Sequence, residues 1–319
     1  MVQTLFLVAA VLLGACVGSF LNVVIYRVPA GTFFSGGARS RCPECRAPIA
    51  MYHNLPVLSW LLLRGKARCC GASISPRYLL VEALTAMVFG WLFWTCVGVH
   101  LPAQGSPVDL PGWEEWVKFI FRAWFLAALI ACTFIDIDHR ILPDVITKPT
   151  MVVGVAGSAL VPGLSGSFVV APDSYDGVFF SVTGLLTGLA CTWFIRELAG
   201  RVFGREAMGF GDVKLMGAIG AFLGWDGALL AFFLGSLLGA LYGAFHQLIT
   251  REGQIFFGPF LAAGAAITQF HKEGIKTFVT VTWPDWQQEL DLPIWATGGI
   301  VLFFAFSLLL IIRRGRRHH

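Results

Sequence analysis

The stretch Thr133-Phe-Ile-Asp136-Ile-Asp138-His-Arg-Ile-Leu-Pro-Asp144 decides how this chain is built. It follows residues 117–132, whose only charges are Lys118 and Arg122, so a cluster of carboxylates is delivered at the end of an apolar helix. Carboxylates at membrane depth are costly and mark function by default. A second delivery comes 76 positions after Asp136, where Met208-Gly-Phe-Gly-Asp212-Val-Lys214 opens another apolar run. Two lone aspartates at two helix ends read as a dyad.

Composition sets the solvent for these acids. With 56% hydrophobic and 13% charged residues, the chain falls far below the ~25% charge of soluble domains. The fold class expected is all-α, a polytopic transmembrane helix bundle of about 8–9 spans with a small cytoplasmic cysteine-rich loop domain. The apolar runs are 2–26, 78–99, 117–135, 150–164, 178–195, 213–225, 228–249, 259–270 and 294–312; several reach the ~20 residues a crossing needs, and those at 150, 213 and 259 are short. The division expected is a first helix over 1–29, a loop over 30–77, the bundle over 78–270, and an external loop with an appended helix over 271–319. No basic residue precedes Arg27, so the first run reads as a retained helix and not a signal peptide. Small residues four apart recur at Gly14/Gly18, Gly184/Gly188, Gly220/Gly224, Gly235/Gly239 and Gly239/Gly243, the spacing that lets helices pack closely.

Basic residues orient the bundle. Alternating the loops puts 19 of the 23 lysines and arginines on the side that holds Asp136 and Asp212, leaving Lys118, Arg122, Lys272 and Lys276 opposite. By the positive-inside rule the N-terminus lies outside and both acids face the cytoplasm. The net charge of +4 reflects this asymmetry and implies no nucleic-acid partner.

Other polar residues have plainer readings. Asn22 and Arg27 suit helix-to-helix bonding and snorkelling, and Glu82 suits an interfacial salt bridge with Arg77. Pro143 ends any helical extension, which leaves Asp138 solvated and Asp144 at a cap. Gly209 and Gly211 flank Phe210 before Asp212, where they permit open backbone and close approach of another chain. Lys214 can pair with either nearby acid.

The loop 30–76 carries Cys42-Pro-Glu-Cys45 and, after a 23-residue gap, Cys69-Cys70. In a reducing loop such thiols read as metal ligands more readily than as disulfides. A zinc-stapled knuckle on Cys42, Cys45, Cys69 and Cys70 is expected, with His53 as the other candidate for a fourth ligand. Cys16, Cys96, Cys132 and Cys191 lie in apolar runs and act as small hydrophobes.

Assembled, the chain resembles the type IV prepilin peptidases, polytopic aspartic proteases of bacterial inner membranes related in motif to the Gly-x-Gly-Asp intramembrane proteases. The resemblance rests on Gly18-Ser-Phe-Leu-Asn-Val-Val-Ile-Tyr-Arg-Val-Pro29, the cysteine loop with Pro76-Arg-Tyr-Leu-Leu-Val-Glu82, Ile135-Asp136 through Asp144, Gly209-Phe-Gly-Asp212-Val-Lys214 and Phe257-Gly-Pro-Phe260, and it covers 13–263. It implies that Asp136 and Asp212 are the catalytic pair. It implies as partners type IV prepilins and type II secretion pseudopilins, cut after a glycine at the cytoplasmic membrane face. It further implies N-methylation of the new terminus from S-adenosylmethionine, an activity of members bearing the cysteine loop; no nucleotide fingerprint locates that donor. This chain departs from the family's two Cys-x-x-Cys pairs, since Ala67 stands where a cysteine is usual and Cys69 supplies the extra thiol. Closing a four-thiolate site through adjacent Cys69 and Cys70 then requires a turn over 68–71, which Gly71 makes possible.

Two carboxyls sharing a site cannot both ionise cheaply, so one would activate water while the other donates to the carbonyl oxygen. The competing readings are a peptidase without methyltransferase activity and a carboxylate-based transporter. Against the transporter stand the lack of a repeat relating the halves and the placement of both acids on one side.

Overall fold

The computed structural model describes residues 2–33, 42, 44, 45, 47, 48, 55–98, 112–165, 176–204, 208–250 and 256–278. Among them the named elements are all helices, with an isolated antiparallel bridge between Lys66 and Ser73. The helices are α1 (Val2–Arg27), α2 (Leu58–Leu62), α3 (Pro76–Cys96), α4 (Trp113–His139), α5 (Asp144–Leu160), α6 (Asp176–Phe203), α7 (Phe210–Thr250) and α8 (Gly258–Thr277). Five of them, α1, α3, α4, α6 and α7, are long and apolar enough to cross a membrane. The expected last span at 294–312 and His53 lie outside the described residues.

Local chemistry sets the helix ends. Pro76 opens α3, with the Arg77 N–H donating to Ser75 Oγ at 3.3 Å. Arg140 takes the left-handed conformation that closes α4, and Pro143, extended at φ −71°, caps α5. Asp144 is thus the first residue of α5 rather than its cap, where its charge still complements the helix N-terminus.

The two expected spans 213–225 and 228–249 are the halves of α7. Gly224, at φ 75° and ψ 176°, breaks the helix, a conformation open to glycine and strained for other residues. A straight helix would hold Asp212 about 40 Å from Gly239. Gly239 instead packs on Phe257 and Phe260, beside the Gly258 backbone that touches Asp136, while Asp212 lies within reach of the charge on Asp136. The halves therefore run antiparallel as a hairpin turned at Gly224. The opened backbone is satisfied on both sides of that turn. Lys272 Nζ donates to the Leu223 carbonyl at 3.0 Å, the Gly227 N–H donates to Asp226 Oδ1 at 2.7 Å, and Lys272 and Asp226 pair at 3.1 Å.

The small-residue spacings sit at the tightest crossings. Gly14 and Gly18 lie against Thr85 and Glu82 of α3, Gly184 and Gly188 against Gly220 and Met216, and Gly235 against Leu261. The core between them is aromatic: Phe125 and Phe222 stack at 4.6 Å between α4 and α7, with Phe93, Met216, Ile219 and Leu261 fully buried around them. At one end of the bundle meet the C-terminal end of α4 and the N-terminal ends of α3, α5, α7 and α8. The Gly224 turn marks the other end.

Candidate functional site

Asp136 projects from the last turn of α4 and Asp212 from the first turn of α7, each only 8% exposed. The Asp136 carboxyl accepts the backbone N–H of Gly258 at the start of α8. A Cβ on Gly258 would stand 2.6 Å from Asp136 Oδ2, so only glycine lets that helix N-terminus meet the carboxyl. Asp212 receives the Gly209 backbone and lies within reach of the charge on Asp136. A Cβ on Gly211 would collide with Leu142 at 2.8 Å, which ties the second motif to the loop between α4 and α5. Among the described residues neither acid is paired with a lysine, arginine or histidine. Two buried carboxyls within reach of one another's charge, neither paired with a cation among the described residues, can hold one proton between them and so offer one base and one acid.

The other acids of these motifs are turned elsewhere. Asp138 forms a salt bridge with Arg77, whose second guanidinium nitrogen donates to the Phe134 carbonyl at 3.0 Å and whose plane covers the Phe134 ring. Asp144 pairs with Lys148 at 2.7 Å and Lys214 at 2.5 Å; these two ammonium groups hold its carboxyl below the usual carboxylate range. Lys214 thus pairs with Asp144 and covers Phe210.

The expected Glu82–Arg77 pair does not form, because Arg77 reaches forward to α4 instead. Glu82 Oε2 accepts the Val57 N–H at 2.7 Å, with Ser19 and Asn22 of α1 beside it. Asn22 itself donates to the Tyr78 carbonyl at 3.1 Å, a bond between helices as the sequence led us to expect.

The four loop cysteines converge. The sulfurs of Cys42, Cys45, Cys69 and Cys70 all lie within 4.8 Å of one another. Neighbouring sulfurs stand 3.7 Å (Cys42–Cys70), 3.3 Å (Cys45–Cys69) and 3.9 Å (Cys69–Cys70) apart. Four thiolates around a tetrahedral zinc have edges of about 3.8 Å at a Zn–S bond of ~2.3 Å. The turn required by adjacent cysteines is present: Gly71 sits at φ 73° and its N–H donates to the Ala67 carbonyl at 2.7 Å. Backbone N–H groups of Cys45 and Glu44 aim at the Cys42 sulfur and bring that thiol down to about 7, whereas hydrogen bonding to Cys45 and Cys42 pushes Cys69 up to about 12. A thiol so raised is one that a cation would have to deprotonate, and the spacing fits such a cation.

Gly258, Leu142 and the Asp226–Lys272 pair were not reached from the sequence as parts of one arrangement. The break Gly258-Pro259 was visible, but its contact with Asp136 spans 122 positions and has no local signal.

Known proteins resemble this chain over most of its length. The model of the bacterial peptidase A24 N-terminal domain matches residues 12–96, and that of the type IV leader peptidase family matches 123–244. A prepilin leader peptidase/N-methyltransferase of Aeromonas salmonicida is 34% identical over 293 residues, covering 83% of this chain and 91% of that protein. One of Myxococcus xanthus is 35% identical, covering 91% of this chain and 75% of its own length. One of Neisseria gonorrhoeae is 34% identical, covering 81% and 88%. No solved structure matches the chain. A multi-pass membrane chain that carries both family regions, and is so alike over most of its length to these enzymes, belongs to the type IV leader peptidase family.

Proposed function

We propose that this chain is a membrane aspartic endopeptidase that removes the leader of type IV prepilins and then N-methylates the new terminal residue. The activity pair is carried by the names of its relatives. The observation that supports its residues is the meeting of Asp136 and Asp212, buried and unpaired with any cation among the described residues, at one end of the bundle.

In the mechanism we infer, the charged carboxyl takes a proton from water while the protonated one donates to the scissile carbonyl oxygen. The Gly258 N–H holds the Asp136 carboxyl in place for this exchange. Arg77 and Lys214 draw Asp138 and Asp144 away from the pair. Pseudopilins of type II secretion join prepilins as substrates in this reading. The bundle has 8–9 spans, sits in the inner membrane with its N-terminus outside, and opens its site to the cytoplasm, where the basic residues gather. The division into a first helix, a cysteine loop, a protease bundle and an appended helix is retained.

S-adenosylmethionine supplies the methyl group of the second activity. Zinc fits Cys42, Cys45, Cys69 and Cys70, and bound there would staple the hairpin tip at Cys69 and Cys70 to the Cys42–Cys45 turn. Solubilised protein incubated with a prepilin, followed by mass measurement, tests the first activity: a product shortened by the leader is expected, and an unchanged mass refutes it. Labelled methyl donor with a pre-cut pilin tests the second. Label on the pilin is expected even from an Asp212→Asn variant, and no label with a cleavage-competent enzyme would make it a peptidase only.

A further inference from the structure

The short helix α2 is the part of the cysteine loop that holds neither the cysteine cluster nor a member of the acid pair. Leu58, Leu61 and Leu62 occupy one face at helical spacing, and with Leu55 before them they are 54%, 54%, 80% and 50% exposed in that order. Four leucines bare to water in so short a stretch would be a liability in a soluble loop. The opposite side of α2 is fixed. Trp60 donates its indole N–H to the Ile74 carbonyl at 3.2 Å, and the chain closes on itself through Gly65 N–H to the Trp60 carbonyl at 2.9 Å and Ile74 N–H to the Gly65 carbonyl at 2.7 Å. The leucine face is therefore held outward by structure on its back.

Depth comes from Glu82. Its carboxylate accepts the N–H of Val57, the residue before α2, which sits at φ 63°, a strained setting for a β-branched side chain. Glu82 stands six residues into the spanning helix α3, about 9 Å along its axis. An apolar face that lies flat on a membrane sits ~5–10 Å into the boundary between headgroups and acyl chains. The start of α2 is thus pinned at that depth. Immediately after the leucines come Arg64 and Lys66, both exposed, on the hairpin that α2 carries.

We propose that α2 is an interfacial foot: Leu55, Leu58, Leu61 and Leu62 enter the bilayer surface, and Arg64 and Lys66 contact anionic lipid headgroups. Leucines below and cations at headgroup level form the pattern that holds monotopic helices in an anionic surface. Glu82 and the strained Val57 set the height of the foot, and Trp60 transmits it to the hairpin bearing Cys69 and Cys70.

The test places a photoreactive p-benzoylphenylalanine at position 62 of the full chain, reconstituted in vesicles of phosphatidylethanolamine and phosphatidylglycerol. The same residue at position 233, an exposed site on α7, and at position 73, on the hairpin, gives the two reference points. Irradiation is expected to give lipid adducts at 62 as at 233, and few at 73. A yield at 62 no higher than at 73 overturns the proposal. So does an adduct at 62 that joins it to an added prepilin or to the chain's own loop in place of lipid. Arg64→Glu with Lys66→Glu should lower the yield at 62 by up to about fivefold for each charge lost, from ~1 kcal/mol per basic residue at an anionic surface, and leave it unchanged in phosphatidylcholine vesicles. An equal yield in both vesicle types for parent and variant would refute the headgroup contact.

Discussion

The two ends of the α7 hairpin each bury an aspartate to the same degree and surround it in opposite ways. At one end Asp212, 8% exposed, lies within reach of the charge on Asp136; at the other Asp226, 9% exposed, pairs with Lys272 at 3.1 Å. Asp226 and Lys272 also cap the backbone that the Gly224 turn opens, so their charges are absorbed by one another and by the chain. At the Asp212 end, among the described residues, Lys214 holds Asp144 and Arg77 holds Asp138. Burial alone does not mark a reactive acid. The partner decides: a lysine fixes the charge of a buried carboxyl, whereas the charge of a second acid favours the protonated form.

The comparison breaks first at its reactive end. Asp136→Asn and Asp212→Asn are each expected to cut leader removal by about 10³-fold or more, with the double variant no worse than either single one; cleavage kinetics on folded, membrane-inserted protein check this. Retained cleavage in either single variant would remove that acid from the pair.

At the other end the sign of the effect changes from activity to stability. Asp226→Asn breaks this buried ion pair, a loss of about 3–5 kcal/mol, read as a lower unfolding temperature with kcat kept within about tenfold. Replacing both residues by leucine should recover much of that loss. Equal loss of kcat in Asp226→Asn and Asp212→Asn would erase the distinction between the ends.

Gly258 sharpens the reactive end without touching its charge. Gly258→Ala drives a methyl group into the Asp136 carboxyl and should slow cleavage about 10²-fold through misplacement alone. Gly239→Ala, where the added carbon meets its nearest neighbour at 3.4 Å, should change it by no more than about twofold.

Cys70→Ser, away from both ends, should take the metal content of protein purified without chelator from about one zinc per chain to well below one. A parent already well below one would leave the loop without a metal. The smallest effects are expected from Asp138→Asn and Asp144→Asn, which break partly exposed pairs worth about 1 kcal/mol or less and should leave cleavage within about tenfold of the parent.

Much of this was legible in the sequence because it is written in local patterns. Apolar length showed the five helices long enough to cross a membrane, Pro143 showed where α4 must stop, and Gly71 showed that adjacent cysteines could turn toward one site. Even the halves of α7 were visible as two runs parted by Asp226-Gly227, although the break itself falls at Gly224. What was not legible depends on contacts across the bundle. The choice of Asp138 over Glu82 by Arg77 follows from how α3 crosses α4, and the pairing of Asp226 with Lys272 from how α8 returns along the hairpin. Neither has a periodicity or a spacing to announce it.

The early turn at Gly224 leaves residues 210–223 only about 21 Å of helix, against a hydrocarbon layer of ~30 Å. The shortfall of about 9 Å, some six residues of helix, would be met by a bilayer thinned around the Asp212 end. Lipid drawn down there would bring water toward carboxyls that helix length alone would leave below the surface.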